Sequence, residues 1–242
     1  MKISVVIPVL NELANLPTAL ESVRSAIDAP EIIAVDGGST DGSREWLHNQ
    51  TGIRVIEAER GKGIQQNTGA RIATGKVILF LHADCRLPDG AGAQIAAAMG
   101  DDRSAGGCFS ASWTPSTPAL QVIAFGMNLR TVLFKRCYGD QAIFVRREIF
   151  ERVGGFPAWP LFEDAELVRR MKTTGRFRVL HAAVEMSARR FEKTGILRGV
   201  FLVYFLQIGF LLGVPPARLK KWFADIRPHL KENRRAAGLA SR

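Results

Sequence analysis

Through its first third the chain alternates short apolar, β-branched runs with longer stretches of helical spacing. Ile3–Ile7, Ile32–Val35, Ile53–Ile56 and Val77–His82 read as strands. Between them, Leu13–Ile27, Ser43–His48 and Ile64–Ala73 read as helices. Strands alternating with helices pack as βαβ units around a mostly parallel sheet. Such sheets bind ligands beyond the carboxyl ends of their strands. The four strands are followed by Pro8-Val9-Leu10-Asn11-Glu12, Asp36-Gly37-Gly38-Ser39-Thr40-Asp41-Gly42, Glu59-Arg60-Gly61-Lys62-Gly63 and His82-Ala83-Asp84. One polar end would be punctuation; four polar or glycine-rich ends on one edge are a site.

The pattern is less regular beyond Gly100. Ala105–Ser112 and Ala142–Val145 read as strands, and Leu120–Phe134 and Phe162–Lys172 as helices, with another helix starting at Arg147. Hydrophobic residues at 47% and charged residues at 23% exclude a disordered or collagen-like chain. The Lys2 start is cut short by Pro8, Asn11 and Glu12, so Ile3–Val9 reads as a buried strand and not a signal peptide. Cys85, Cys108 and Cys137 show no CxxC spacing, which supports neither a disulfide framework nor a zinc site and fits a reducing, cytoplasmic compartment.

Each strand end has a chemistry and a plainer alternative. Asp36 can accept hydrogen bonds from a base or ribose while Gly37 and Gly38 let the backbone approach; a simple turn is the alternative. Gly61-Lys62-Gly63 offers a cation and bare N–H groups to a phosphate, without the GxxxxGK[ST] spacing of a P-loop. Gln65 and Asn67 on the next helix are base contacts or solvated polar residues. Asp84 suits a hard divalent cation shared with substrate phosphates, and His82 is a second ligand or a satisfied strand-end histidine. Glu163 and Asp164 open a helix, where carboxylates cap favourably or serve as a general base.

Together these segments resemble family 2 glycosyltransferases of the GT-A fold, over roughly residues 1–195. The Leu81-His82-Ala83-Asp84 and Arg189-Arg190-Phe191-Glu192 forms resemble a small bacterial single-domain subfamily, some of whose members are labelled diaponeurosporenoate glycosyltransferases by similarity. The resemblance implies that Pro8, Asn11 and Glu12 line the nucleotide pocket and that Asp36 contacts the base, usually uracil. Lys62 and Asn67 would lie near base, ribose or phosphate. Asp84 matches the last carboxylate of the DXD motif, which holds Mg or Mn on the donor diphosphate. Asp164, with Glu163 beside it, matches the catalytic base. Arg189 or Arg190 would add charge on the phosphate side or belong to a solvated or lipid-facing basic patch, and Asp140 and Gln141 belong to the acceptor side or to a turn into Ala142–Val145. Two departures stand out: the first DXD carboxylate is His82, and the Gln-x-x-Arg-Trp motif of processive synthases is absent. The implied activity is inverting transfer from a nucleotide-diphosphate sugar, a UDP-sugar foremost, to a hydroxyl or carboxyl of an apolar or lipid-linked acceptor.

The net charge of +10 is placed unevenly. Residues 1–186 hold 21 basic and 20 acidic residues, whereas 187–242 hold 12 and 3. We therefore expect a domain over 1–195 and a basic tail over 196–242. Gly199–Val214 is a 16-residue apolar stretch, short for a span of about 20 residues, and reads as a buried or interfacial helix or an oligomer contact. After it, Leu219, Trp222, Phe223 and Ile226 recur at helical spacing, with Arg218, Lys220 and Lys221 off that stripe. This reads as an amphipathic helix on the inner, anionic face of the cell membrane, with docking on the protein's own core as the alternative. Apolar residues beside the charge fit lipid better than nucleic acid. A nucleotidyltransferase would want a basic glycine loop after the first strand, and a non-catalytic binding scaffold has only His82 in its favour.

Overall fold

The computed structural model describes residues 1–189 and 195–223. They fall into two compact units, one of residues 1–158 and 163–187, the other of 159–162 with the chain from 188 onward. In the first unit the chain runs β1 (Ile3–Val9), α1 (Leu16–Ala26), β2 (Glu31–Asp36), α2 (Ser43–His48), β3 (Ile53–Glu57), α3 (Lys62–Ile72) and β4 (Val77–Phe80). It continues with β5 (Cys85–Arg86), α4 (Ala91–Ala98), β6 (Ser104–Thr114), α5 (Pro118–Phe134) and a 3-10 turn at Gly139–Gln141. Then come β7 (Phe144–Arg146), α6 (Arg147–Arg152), α7 (Glu163–Met171) and β8 (Arg176–Ser187).

The strands make one sheet in the order β3-β2-β1-β4-β7-β6-β8-β5. Strands β1 to β4 are mutually parallel, as are β6 and β8, while β7 runs antiparallel to both its neighbours. The fold is the mixed α/β GT-A architecture that the motifs imply. The central parallel strands are apolar throughout because helices cover both faces: Val5, Val6, Ile7, Ile78, Leu79 and Phe80 are all completely buried. Strand order reverses at β1, with β2 on one side and β4 on the other, and a crevice opens at such a switch point. Because β7 pairs antiparallel with β4, Leu79 against Phe144, the residues just before β7 lie at the carboxyl edge of β4. That brings Gly139–Gln141 to the edge that carries His82 and Asp84.

Helix α1 begins at Leu16, three residues later than its apolar spacing predicts. The reason is polar. Ser39 and Ser43 hydroxyls accept from the N–H groups of Asn11 and Glu12, and Asp41 accepts from Leu13 N–H, tying residues 11–13 to the loop after β2. Below the edge, Phe80 packs edge-on against Phe156 at 4.8 Å between ring centroids and tilted against Phe150 at 5.2 Å.

The second unit contains α8 (Ile196–Leu211) and a further helical segment over 216–223. Leu202, Leu206 and Leu219 are its buried centre, with Phe162, Phe210, Trp222 and Phe223 packed around them. This corrects the expected lipid-facing stripe. Leu219 is fully buried, and Trp222 and Phe223 pack inward with it, because α8 offers a matching apolar surface; Ile226 lies outside the described residues. Among the described residues of this unit the exposed large apolar side chains are on α8, Phe201, Ile208 and Leu211 among them, and on Leu212 just after it. No helix among the described residues is long and apolar enough to cross a membrane.

Candidate active site

Asp36 ends β2 and is fully buried. Its Oδ2 accepts from Gly38 N–H at 2.9 Å and Ser39 N–H at 3.0 Å, while its buried Oδ1 has no hydrogen-bond partner. Buried polar atoms are almost always paired, so an open acceptor here points to a donor group arriving from outside. The neighbouring Gln65 donates to the carbonyls of Val9 and Val35, each at 2.8 Å, and so clips the ends of β1 and β2 together. A Cβ on Gly37 would meet the Gln65 amide at 2.9 Å, which is why glycine follows Asp36. Across the crevice, Asn11 has φ of 56° and its Oδ1 accepts from Thr40 N–H at 2.8 Å. Glu12 receives the Asn15 amide, and Pro8 is half-buried opposite Val35 in the ladder.

The second cluster is charged. Lys62, first residue of α3, places its Nζ 2.8 Å from Glu163 Oε1 and 3.3 Å from Asp164 Oδ2. Both carboxylates are nearly buried, at 3% and 6% side-chain exposure, and Lys62 is 37% exposed. They open α7, whose unpaired N–H groups favour negative charge. Asp164 Oδ2 also accepts from Gly139 N–H at 2.6 Å, and its Oδ1 accepts from Ala165 N–H at 2.7 Å. Burial pushes the Asp164 carboxyl up, but Lys62, these two N–H groups and His82 together hold it below the ordinary value. Burial raises Glu163, and Lys62 only partly offsets this, so Glu163 is the weaker acid of the two. Burial also opposes the charge on Lys62, yet the two carboxylates outweigh it and raise its pKa. The pair is thus differentiated: an ionised Asp164 beside a more easily protonated Glu163.

Gly139 is the hinge of this cluster, and neither its type nor its position singles it out in the sequence. A Cβ there would lie 2.7 Å from His82 Nε2 and 3.1 Å from Asp164 Oδ2. His82, Asp84 and Cys85 offer ligand atoms within 4.8 Å of one another. An imidazole and a carboxylate at this spacing fit a divalent cation, with the nitrogen favouring a transition ion such as Mn over Mg. Burial first, then Asp84 and Asp140, push the Cys85 thiol well above its ordinary value.

Other expected contacts are engaged elsewhere. Asn67 donates to Phe156 C=O and accepts from Phe156 N–H, each at 2.9 Å, so its amide pins the loop before α7. Gln141 is fully buried and bonds Phe109 C=O at 3.2 Å and the Thr131 hydroxyl at 3.2 Å, which fastens the turn to β6 and α5. Asp140 sits in the same turn, and its carbonyl faces the Cys85 thiol at 3.9 Å. Arg189 belongs to the second unit, and Arg190 lies outside the described residues. The structure therefore brings Lys62, Glu163, Asp164, His82 and Gly139 together, and leaves Asn67 and Gln141 to the scaffold.

A sequence model described as "Glycosyl transferase family 2" matches residues 4–154. A PGL/p-HBAD biosynthesis glycosyltransferase of Mycobacterium tuberculosis is 34% identical over 168 residues, 63% of this chain and 62% of that protein. This chain thus matches about six-tenths of such a relative's length. Among solved structures, S. aureus TarS 1-349 superposes with a TM-score of 0.61 at 19% identity, covering 84% of this chain and 66% of that one. The mannosyltransferase PcManGT from Pyrobaculum calidifontis, in complex with GDP-Man and Mn2+, gives 0.57 at 24% identity over 77% and 56%.

Proposed function

The chain belongs to glycosyl transferase family 2, and from that premise we propose that it transfers one sugar, with inversion, from a nucleotide-diphosphate sugar to an apolar or lipid-linked acceptor. A UDP-sugar is the favoured donor, and a hydroxyl or carboxyl is the acceptor group. The observation that carries the reading is the buried, ionised Asp164 held by Lys62 and Gly139 N–H at the carboxyl edge of the sheet.

On the donor side, the open Oδ1 of Asp36 accepts an N–H from the base, and the turn at 37–39 lets the nucleoside approach. PcManGT is solved with GDP-Man and Mn2+, and TarS with UDP-GlcNAc, which supports a nucleotide-sugar ligand for this fold. Asp84 with His82 would hold a divalent cation, and that ion supplies Lewis-acid stabilisation of the departing diphosphate. Lys62 offsets the charge of Glu163 and Asp164, so an anionic donor can enter a site otherwise rich in carboxylates. Asp164 then takes the proton of the acceptor hydroxyl as its oxygen attacks the anomeric carbon. Its lowered pKa keeps Asp164 ionised, and so able to accept a proton, at neutral pH. The exposed apolar side chains of α8, with Arg218, Lys220 and Lys221 exposed just after it, support peripheral attachment to the inner membrane face near such acceptors.

A thermal-shift panel of UDP, GDP, dTDP, CDP and CMP, each with Mn2+ or EDTA, tests the donor reading. Ligand at a hundredfold its Kd stabilises by about 2.7 kcal/mol, which for a chain of this size is roughly 5–10 °C. One diphosphate stabilising only with metal supports the assignment. No shift with any nucleotide overturns it and leaves a non-catalytic scaffold; pyrophosphate release from a nucleoside triphosphate would instead mark a nucleotidyltransferase.

A further inference from the structure

Helix α5 buries Leu120 and Thr131 and turns a row of apolar residues outward. Asn128 clips it to β6, accepting from Ala111 N–H at 2.8 Å and donating to Ala111 C=O at 3.0 Å. Thr131 is fully buried and bonds the Gln141 amide. The outer face instead carries Val122 at 71% exposure, Phe125 at 70%, Leu129 at 46% and Leu133 at 63%. These four recur at i, i+3, i+7 and i+11, a single stripe along the helix. An apolar stripe that faces water, on a helix already held to its unit by Leu120, Asn128 and Thr131, has its apolar complement outside the unit.

The end of the stripe indicates what that complement is. Lys135 closes α5, and Lys172 Nζ donates to the carbonyl of Phe134 at 3.1 Å. Lys135 and Lys172, with Arg176 and Arg178, line a cavity of about 490 Å³ whose other lining residues are Gly175, Phe177 and Val179. The nearby counter-charge is Asp101, which both arginines share, at 3.1 and 2.8 Å. Residues 103–139 contain no Asp or Glu, so a second copy laid on α5 would bring no carboxylate from that segment to these cations.

We propose that α5 and the cation-lined cavity at its C-terminal end form an anionic-lipid docking surface. The stripe enters the acyl boundary, and the cavity takes a phosphate-bearing headgroup. Arginine and lysine suit phosphate oxygens, and apolar side chains flanked by cations are the pattern of interfacial helices. The surface makes no use of the donor site, so it stands whether or not the transferase reading does.

The test uses the full chain. Cys85, Cys108 and Cys137 are buried, so Val122→Cys can be labelled with an environment-sensitive dye on the stripe alone. The expected result is a blue shift with vesicles of phosphatidylcholine and phosphatidylglycerol, and little with phosphatidylcholine alone. In co-sedimentation, Phe125→Glu with Leu133→Glu lowers vesicle partition by about tenfold or more, and Lys135→Glu weakens it selectively for anionic vesicles. A dye unmoved by anionic vesicles overturns the proposal, as does partition unchanged in the double variant. So does a blue shift that grows with protein concentration without vesicles, which would mark self-association. Because the dye reports from an otherwise unaltered face, a double variant that fails to fold still leaves the proposal testable.

Discussion

Replacing Lys62 with Met should destabilise the fold in a pH-dependent way that follows from two distances. The Lys62 ammonium lies 2.8 Å from Glu163 and 3.3 Å from Asp164, both nearly buried. Removing one partner of a buried ion pair costs about 3–5 kcal/mol, because the remaining charge is left uncompensated. Lys62 is 37% exposed, so solvent screens part of this, and about 2 kcal/mol is the reasonable expectation. For a chain of this length that is a fall in Tm of roughly 4–8 °C. The pH dependence has a definite sign. Asp164 is depressed below its ordinary 3.8, so its contribution is present above 3.8 and is lost as pH falls through the folded value. Lys62 is raised above 10.5, so its contribution is present below 10.5 and is lost only as pH rises through its folded value. The two windows overlap between about pH 4 and pH 10. In the variant both carboxylates take up protons more readily, so the deficit should be full at pH 7 and shrink toward pH 4. Thermal melts followed by circular dichroism from pH 3.5 to 9 would show it. An unchanged Tm at pH 7, or a deficit that stays constant down to pH 3.5, would refute the ion-pair account.

Three further outcomes follow. Asp164→Asn keeps the shape and still accepts from Gly139 N–H, so kcat should fall by about 10²–10⁴ while donor Kd stays within roughly threefold; near-full turnover would remove the base assignment. Gly139→Ala places a methyl 2.7 Å from His82 and 3.1 Å from Asp164. Turnover should then drop at least tenfold with about 1–3 kcal/mol of lost stability, measured by steady-state kinetics and melts; wild-type behaviour would show that the turn yields freely. Asn67→Leu strands the N–H and C=O of Phe156 and should cost about 1–3 kcal/mol with donor affinity unchanged; a loss of nucleotide affinity without a loss of Tm would make Asn67 a ligand contact instead.

The parallel half of the fold was legible because burial on both faces writes each strand as an unbroken apolar run. Ile53–Ile56 reads within one residue of β3 although its side chains are only partly buried, because β-branched residues alternate there. Strand β8, twelve residues long, is not legible in the sequence. It carries Arg176, Arg178, His181 and Glu185 among its apolar residues, and most of its positions are only partly buried. Neither an apolar run nor clean alternation survives such a mixture. Strand β5 has two residues and owes its existence to pairing with Met186 and Glu185 a hundred residues away. The amphipathic stripe at 217–226 shows a different limit. Over the described residues to 223 its period is that of a helix, but periodicity states that a face is apolar without stating what meets it, and α8 meets Leu219, Trp222 and Phe223 here.

The site divides along a chemical line that sorts the residues better than proximity in sequence does. Gln65, Asn67 and Gln141 are amides, and an amide carries a donor and an acceptor on one plane. Backbone N–H and C=O groups match that pair, and all three residues donate to backbone carbonyls: Gln65 near the ends of β1 and β2, Asn67 in the loop before α7 and Gln141 within β6. Carboxylates only accept, so a folding backbone can satisfy them through N–H groups but leaves acceptor capacity over. Asp36 takes two backbone N–H bonds on one oxygen and keeps the other open, and Asp164 takes two more yet still draws in Lys62. At this sheet edge the amides therefore set the shape of the crevice, and the carboxylates keep the capacity to engage base, proton or cation. The resemblance implies that Asp36 contacts the base and that Asn67 lies near base, ribose or phosphate, so it sets both beside the nucleotide. Donor and acceptor accounting separates them, and the contrast between Asn67→Leu and Asp164→Asn, stability lost in the one and turnover in the other, is the direct experimental form of that separation.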